Sequence, residues 1–574
     1  MYDLLIQNGQ IFDGRGNPPI QGNIAVLDGK IVAVGSVDGA ARQSIDARGL
    51  AITPGFVDIH THYDGQATWS DRLSPSSAHG ITTVVTGNCG VGFAPCRPAD
   101  RDALVKLMEG VEDIPGLVLT EGLTWDWESF PDFLDAIDRR PHDVDIATQL
   151  PHSALRVYVM GERAIRREAA TADDNRKMAE LATQAIEAGA FGFTTSRNLN
   201  HKTRAGEAVP SMGADEVELR EIALGVKAAG RGVLEFSADF AFTGEDVAAE
   251  IALYRRLVEA SGLPMSLAIA FMNERPDLGR KMMAELNDAY AAGLPIRLQV
   301  VGRPVGVLQG FNLSLHPFER CPSFLPLADL PWDDRIARLR DPGVKAAIAA
   351  EAADPANQTL ISDQYSNLFL LGDPPNYEPA PEDSVAAIAA RTGETPQSVL
   401  YDLVMTNNGH GLIFLPLTNF SDGHLDDFAT VLKQDNILVG LGDAGAHVGI
   451  VCDASYSTFL LTHWGRDRQG ERLPLPDLVK ALTSDSAEAV GLRDRGVIAP
   501  GYKADLNVID FDRLRLRAPH TQFDLPAGGR RLMQDAEGYV ATIVSGEITY
   551  REGVATGALP GRLVRSGDVA VAPR

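Results

Sequence analysis

The chain has 574 residues and a formal net charge of −25, with 52 Lys and Arg against 77 Asp and Glu. This acidic balance disfavours nucleic acid and membranes as partners, because both are bound by basic surfaces. Hydrophobic residues make up 45% and charged residues 22%, a composition typical of globular proteins with a large core. The sequence has no signal-peptide pattern and no long apolar run, which predicts a cytoplasmic protein.

Short strands separated by turns are predicted at both ends of the chain. Residues 1–52 contain the alternating segments LLIQNGQIFDG and GNIAVLDGKIVAVG, with Gly and Asp at the turns. The same pattern returns in residues 496–574, in GVIAPGYKADLNVIDF and YVATIVSGEITYREGVATG. We expect the two ends to form one composite β-sandwich, and two separate edge sheets are the alternative.

Residues 53–495 have a different pattern, in which apolar runs alternate with amphipathic segments. Two of these segments, NRKMAELATQAIEAG and DEVELREIALGVKAAG, end in Gly, a frequent helix C-cap. The pattern predicts an α/β fold, a (β/α)8 TIM-like barrel with its active site at the C-terminal ends of the strands. A doubly wound sheet is the alternative, although no GxGxxG or Walker loop follows an early strand. The runs, numbered strands one to eight, are residues 51–62, 80–90, 143–161, 188–197, 231–240, 264–271, 295–304 and 437–447.

A long insertion separates strands seven and eight. It covers about residues 304–435 and contains two Pro-rich stretches, HPFERCPSFLPLADLPW and LGDPPNYEPAPED. Connections in compact domains are usually far shorter than this. We therefore expect the insertion to form a lid or a substrate-binding subdomain.

Two histidines end strand one in the segment GFVDIHTHYDG. His60 and His62 are two residues apart, so both side chains point to the same face of an extended strand. Two imidazoles at the C-terminal end of a barrel strand suit a divalent metal such as zinc. Two hydrogen-bonded structural histidines are the alternative.

A cysteine and an aspartate follow two other strands at the same predicted edge. Cys89 follows strand two in VVTGNCGVGFAPC, where a thiolate can complete or bridge a metal site. Asp443 follows strand eight in VGLGDAGAHVG and can bind metal and move protons, with a helix N-cap as the alternative role. Four cysteines are too few for a disulfide framework. The other three are predicted to be small buried side chains: Cys96, Cys321 and Cys452.

These motifs together resemble the amidohydrolase superfamily. The HxH, GNCG and strand-eight Asp motifs lie between β-rich ends, as they do in its D-aminoacylase branch, where a cysteine takes the bridging position of a carboxylated lysine. The resemblance covers nearly the whole chain and includes DRGVIAPGYKADLNVID near the end. It implies a divalent metal, with zinc as the first candidate, held by His60, His62, Cys89 and Asp443. It also relates LPHSALR to the branch's Gly-His-x-x-Leu-Arg motif, which implies that His152 and Arg156 lie near the substrate.

The sequence departs from this branch at strands five and six. The branch has a histidine at the end of each of these strands, whereas RGVLEFSADF and PMSLAIAFMNER contain none. Glu235, Ser237 and Asp239 share one face of strand five by the two-residue period. Glu235 is expected either to replace a metal ligand or to pair with a buried arginine. We therefore expect one metal ion rather than two.

Further residues near the strand ends are candidates for substrate binding. Arg197 and His201 follow strand four, Arg303 follows strand seven, and His447 follows Asp443 by four residues. An arginine in this position can bind a substrate carboxylate through two parallel hydrogen bonds. The alternative for each arginine is an ion pair at the barrel rim, and for His447 it is a solvated turn.

The combined features predict metal-dependent hydrolysis of a non-peptide C–N bond. The expected substrate is an N-acyl-D-amino acid or a similar small amide, with Asp443 carrying the proton to the departing nitrogen. A cyclic amide or imide hydrolase is one alternative. A non-hydrolytic binding protein with a degraded metal centre is the other, because two histidines of the branch are missing. Assembly into a homo-oligomer is compatible with the sequence.

Overall fold

In the computed structural model, which describes residues 1–238, 247–359 and 363–569, both chain ends join in one nine-stranded sheet. Ala51–Pro54 pairs with Leu506–Ile509 in antiparallel register, so the N-terminal and C-terminal segments are hydrogen-bonded to each other. Ala41–Asp46 adds to the sheet by parallel pairing with Tyr2–Ile11. The other strands, in order across the sheet, are Val554–Ala555, Glu547–Arg551, Tyr539–Val544, Leu506–Ile509, Ala51–Pro54, Tyr2–Ile11, Ile20–Leu27 and Lys30–Gly35.

Each of the eight apolar runs contains a strand that pairs in parallel with its neighbours. One sheet contains strands one to three, and a second contains the continuation of strand three and strands four to eight. A parallel bridge between Thr61 and Ala444 lies just beyond strands one and eight. The α/β fold predicted from the alternating pattern is confirmed. The strands are Phe56–Asp58, Ile81–Thr86, Asp145–Thr148 with Leu150–Pro151, Gly192–Ser196, Val233–Ser237, Met265–Ala268, Ile296–Val300 and Ile437–Val439.

Helices connect these strands, and local capping explains where the first of the two predicted helices begins and ends. Thr171 accepts a hydrogen bond from the Asp174 N–H and Asp174 accepts one from the Thr171 N–H, which starts the helix Ala172–Ala188. Gly189, with φ of +128°, ends it. The other longer helices of this region are Arg101–Val111, Gly116–Gly122, Phe130–Asp138, His152–Met160, Glu216–Ala228, Val247–Ser261 and Pro276–Ala291.

The insertion between strands seven and eight has its own small sheet and its own hydrophobic core. Val305–Gln309 and Phe369–Leu370 both pair in antiparallel register with Ile413–Thr418. The core contains Phe318 and Tyr401, which are both buried. Its helices are Trp332–Leu339, Pro342–Glu351, Val385–Thr392, Pro396–Gly409 and Asp426–Leu432. No helix among the residues described is long and apolar enough to cross a membrane.

A buried group of charges joins strand three to the nine-stranded sheet. Asp145, the first residue of strand three, lies 2.6 Å from Arg495 Nη1 and 2.7 Å from Lys503 Nζ. Lys503 Nζ also lies 2.8 Å from Asp505, just before the strand Leu506–Ile509. Buried charges need such partners because desolvation of an unpaired ion is costly. This ionic group lies at the end of strand three opposite to the residues described next.

Candidate metal centre

The side chains of His60, His62 and Cys89 meet at the C-terminal ends of strands one and two. All three are buried, and one ligand atom of each lies within 4.8 Å of those of the other two. Cys89 Sγ lies 3.3 Å from His60 Nε2. Two imidazole nitrogens and a thiol sulfur at this separation are the donor types that zinc prefers.

Asp443 brings a carboxylate to the same point from the loop after strand eight. Its Oδ1 atom lies 3.3 Å from His60 Nε2 and 3.5 Å from His62 Nε2. The next helical turn of the described chain begins only at Asp453, so Asp443 is not a helix N-cap. Cys89 and Asp443 have φ values of +54° and +42°, which are unusual for residues other than glycine. Backbone strain of this kind is concentrated at functional sites.

A glutamine on strand seven orients His60. Gln299 Oε1 lies 2.8 Å from His60 Nδ1, and Gln299 Nε2 donates a hydrogen bond of 2.8 Å to Ser266 Oγ. Because an amide oxygen can only accept, His60 Nδ1 carries the proton. The lone pair on His60 Nε2 therefore faces Cys89 and Asp443, as a metal ligand requires.

The imidazole ring of His62 lies between two carboxylates. Glu112 Oε1 lies 3.5 Å from His62 Nδ1. Across the residues that the structure covers, neither ring nitrogen of His62 finds a hydrogen-bond partner. A buried polar group without a partner costs about 1–3 kcal/mol, and a metal ion at His62 would remove that cost. The residues present therefore fit a divalent cation.

Burial and neighbouring charges together set the pKa of each ionisable group in the site. Burial opposes charge on His62, but the carboxylates of Glu112 and Asp443 outweigh it and raise its pKa to about 9. Burial lowers the pKa of His60 to about 4. Burial also opposes ionisation of Asp443, but the two histidines outweigh it and lower the Asp443 pKa to about 2. Asp443 is therefore a carboxylate at neutral pH.

Glu235 supports the turn that carries Cys89. Glu235 Oε2 accepts a hydrogen bond of 3.1 Å from the Cys89 N–H, and Oε1 lies 3.9 Å from His60 Nδ1. Burial raises the pKa of Glu235 to about 8. In the described ranges it makes no ion pair with an arginine, so the alternative of a buried Arg pair is not observed. Asp239, which was expected on the same face, lies outside the described residues.

Three of the predicted substrate-binding arginines are already paired with carboxylates. Arg156 Nε lies 2.6 Å from Glu218, which also contacts His152 Nε2 at 2.8 Å. Arg197 and Arg303 form the ion pairs that were the alternative to substrate binding. Their carboxylate partners are Glu250 and Asp453.

His201 and His447, by contrast, line a cavity of about 470 Å³ with the four predicted ligands. This volume is in the range of small-molecule sites. Away from the ligands, the cavity is lined by apolar residues that follow strand six, together with Glu274 and Arg275.

Two residues of the site, Glu112 and Gln299, were not predicted from the sequence. Glu112 follows the helix Arg101–Val111 and belongs to no motif. Gln299 is a polar residue inside the apolar run of strand seven, and this is the signal that could have identified it. Its partner His60 is 239 residues away in the sequence, so the contact itself had no local signature.

Comparisons with known proteins identify the family of the chain. The amidohydrolase family model matches residues 43–550. D-aminoacylase of Alcaligenes xylosoxydans xylosoxydans is 26% identical over 569 residues, which cover 98% of this chain and 97% of that protein.

Two solved structures share the fold. One is a D-aminoacylase whose binuclear metal centre shows one-metal activation and second-metal attenuation. It has a TM-score of 0.64 and 23% identity, and the match covers 98% of this chain and 100% of that chain. The other, N-acyl-D-glutamate deacylase of Bordetella bronchiseptica with zinc and a phosphonate inhibitor, has a TM-score of 0.63, 23% identity, and coverage of 98% and 99%. The chain belongs to the amidohydrolase family, and within that family it is similar to D-aminoacylases.

Proposed function

We propose that this protein hydrolyses the amide bond of N-acyl-D-amino acids with one catalytic divalent cation, zinc being the first candidate. The observation that carries the proposal is the convergence of His60, His62 and Cys89 within 4.8 Å, with Asp443 Oδ1 beside both imidazoles. The substrate class comes from the similar proteins, which are a D-aminoacylase and an N-acyl-D-glutamate deacylase. One ion rather than two is proposed because strands five and six have no histidine.

Four residues would hold the cation: His60 through Nε2, His62, Cys89 through Sγ and Asp443. A divalent cation supplies Lewis acidity at this position. Gln299 and Glu112 keep the two imidazoles in place by contacts to their Nδ1 atoms, and Glu235 holds the Cys89 backbone. Such supporting contacts set both the orientation and the basicity of ligands.

Asp443 is proposed to move the proton during hydrolysis. An amide nitrogen leaves poorly unless it is protonated, and the Asp443 carboxylate lines the cavity where the substrate would bind. It takes a proton from the attacking water and transfers it to the nitrogen. Proton transfer of this kind contributes about 10²–10⁴-fold to rate.

His201 is proposed to donate a hydrogen bond to the substrate carbonyl oxygen. Ser196 Oγ accepts the Asn198 N–H at 3.1 Å and lies 2.7 Å from His201 Nδ1. We assign the Ser196 hydroxyl as the donor to His201 Nδ1, because no other acceptor among the described residues lies within hydrogen-bond distance of Ser196 Oγ. His201 Nε2 then carries the ring proton, and burial, with the charges of His62 and His447, keeps the ring neutral by lowering its pKa to about 3.

The proposed architecture follows the organisation of the sequence. Strands one to eight close into a (β/α)8 barrel over residues 53–495, supported by the chain-order pairing and by the bridge between Thr61 and Ala444. Residues 1–52 and 496–574 form the β-sandwich domain. The insertion at about 304–435 is proposed as a lid, because Val305 and Leu417 reach the cavity from it.

The proposal is tested by incubating the purified protein, supplied with zinc, with N-acetyl-D-leucine and N-acetyl-L-leucine. We expect release of D-leucine, loss of that release on chelation, and its return when zinc is added. Asp443→Asn is the matched control for background hydrolysis. A zinc-loaded wild-type protein that releases no amino acid from any N-acyl-D-amino acid tested would overturn the proposal.

A further inference from the structure

Two chemically different groups of residues line the cavity. One group consists of the histidines, Cys89 and Asp443, and the other belongs to the segment after strand six and the start of the helix Pro276–Ala291. Phe271, Leu278 and Met282 are in this second group. Most of this lining is apolar, so polar recognition there depends on the few charged side chains present.

Arg275 is the only Lys or Arg that lines the cavity among the residues described. Among the described residues, the only carboxylate within 4 Å of the Arg275 guanidinium is that of Asp277, whose Oδ1 lies 3.9 Å from Nε, beyond hydrogen-bond distance. The guanidinium group of Arg275 therefore has donors available for a ligand.

The other arginines near the strand ends are not available in this way. Arg156 and Arg303 are buried and bound to the carboxylates of Glu218 and Asp453. Arg303 also donates hydrogen bonds to Ser455 Oγ and the Cys452 carbonyl. Recruiting either arginine to a substrate would leave a buried carboxylate unpaired, which is strongly destabilising.

We infer that Arg275 is the residue that binds the α-carboxylate of the substrate, an inference that rests on the proposed function. A guanidinium group binds a carboxylate through two parallel hydrogen bonds, and this pairing orients the substrate along the apolar surface toward the cation ligands. A second carboxylate would find no second Lys or Arg among the described lining residues, which also include the carboxylates of Glu112 and Glu274. The site therefore accepts N-acyl amino acids with a single carboxylate.

The test compares Arg275→Gln and Arg275→Lys with wild type on N-acetyl-D-leucine and N-acetyl-D-leucinamide. Loss of a charge-assisted bidentate pair is expected to raise KM for the acid by about 10-fold or more. The KM for the uncharged amide should show no such change. Arg275→Lys should recover part of the binding, because lysine keeps the positive charge but lacks the two parallel N–H donors of the guanidinium group. Arg280→Gln is the matched control, since Arg280 lies on the same helix, is 66% exposed and does not line the cavity.

Calorimetric binding of N-acetyl-D-leucine to zinc-loaded Asp443→Asn separates this inference from the proposed function. Arg275→Gln in that background should weaken binding by a similar factor. Unchanged binding and unchanged KM in Arg275→Gln would overturn the role of Arg275 while leaving the hydrolase proposal in place. Efficient hydrolysis of N-acetyl-D-glutamate by wild type, at the level of the leucine substrate, would overturn the single-carboxylate preference. A wild-type protein that neither binds nor hydrolyses the acid would overturn both.

Discussion

Replacement of Gln299 by leucine isolates the contact that orients His60. The variant keeps the approximate size of the buried side chain but removes the oxygen that lies 2.8 Å from His60 Nδ1. It also removes the donor to Ser266 Oγ. His60 Nδ1–H would be left buried without an acceptor, or the proton would move to Nε2 and block the ligand position.

The size of the effect follows from the energy of one buried hydrogen bond. Leaving a buried donor unpaired costs about 1–3 kcal/mol. At about 1.36 kcal/mol per tenfold change, this corresponds to a loss of about 5- to 150-fold in metal affinity. Measured losses for residues that support metal ligands, about 10–100-fold, fall in the same range.

The assay is zinc competition with a chromogenic chelator, followed by hydrolysis at saturating zinc. We expect weaker zinc binding in Gln299→Leu, with most of the turnover recovered when zinc is saturating. Gln309→Leu is the matched control, because Gln309 is equally buried but its polar atoms have no hydrogen-bond partner among the described residues. Zinc affinity that is unchanged in Gln299→Leu, in a variant that remains folded, would refute the orienting role.

Three further variants test the site and its support. Asp443→Asn should lower kcat by roughly 10³-fold or more with a smaller change in KM, and near-normal kcat at unchanged metal content would contradict the proton-transfer role. Cys89→Ala should lower zinc content and activity together, whereas Cys96→Ala should cost only modest stability, and elemental analysis of both variants checks this. Glu218→Gln should destabilise the fold by about 3–5 kcal/mol in chemical denaturation because Arg156 is left buried and uncompensated, and a change below about 1 kcal/mol would contradict that reasoning.

Local sequence patterns were sufficient to predict the elements that build the site. The two-residue period of an extended strand predicts that His60 and His62 share a face, and the structure places both imidazoles beside Cys89. Gly189 predicts a helix end for the same reason, since it acts on backbone groups within a few residues. Alternating patterns likewise predict strands at both chain ends, whereas the antiparallel pairing that joins these ends was left open by the sequence. These inferences depend only on residues that are close in the chain.

The partners of buried polar side chains were decided only by the tertiary structure. Arg303 looks like a carboxylate-binding residue in the sequence, but Asp453, 150 residues away, is its ion-pair partner. Gln299 reaches His60 across 239 residues, and Glu112 reaches His62 from a helix end with no motif. Desolvation is the physical reason, because a buried charge or donor must find a partner wherever packing places one. Sequence patterns show which groups need partners, whereas the packing of distant strands decides which groups remain free to bind a substrate.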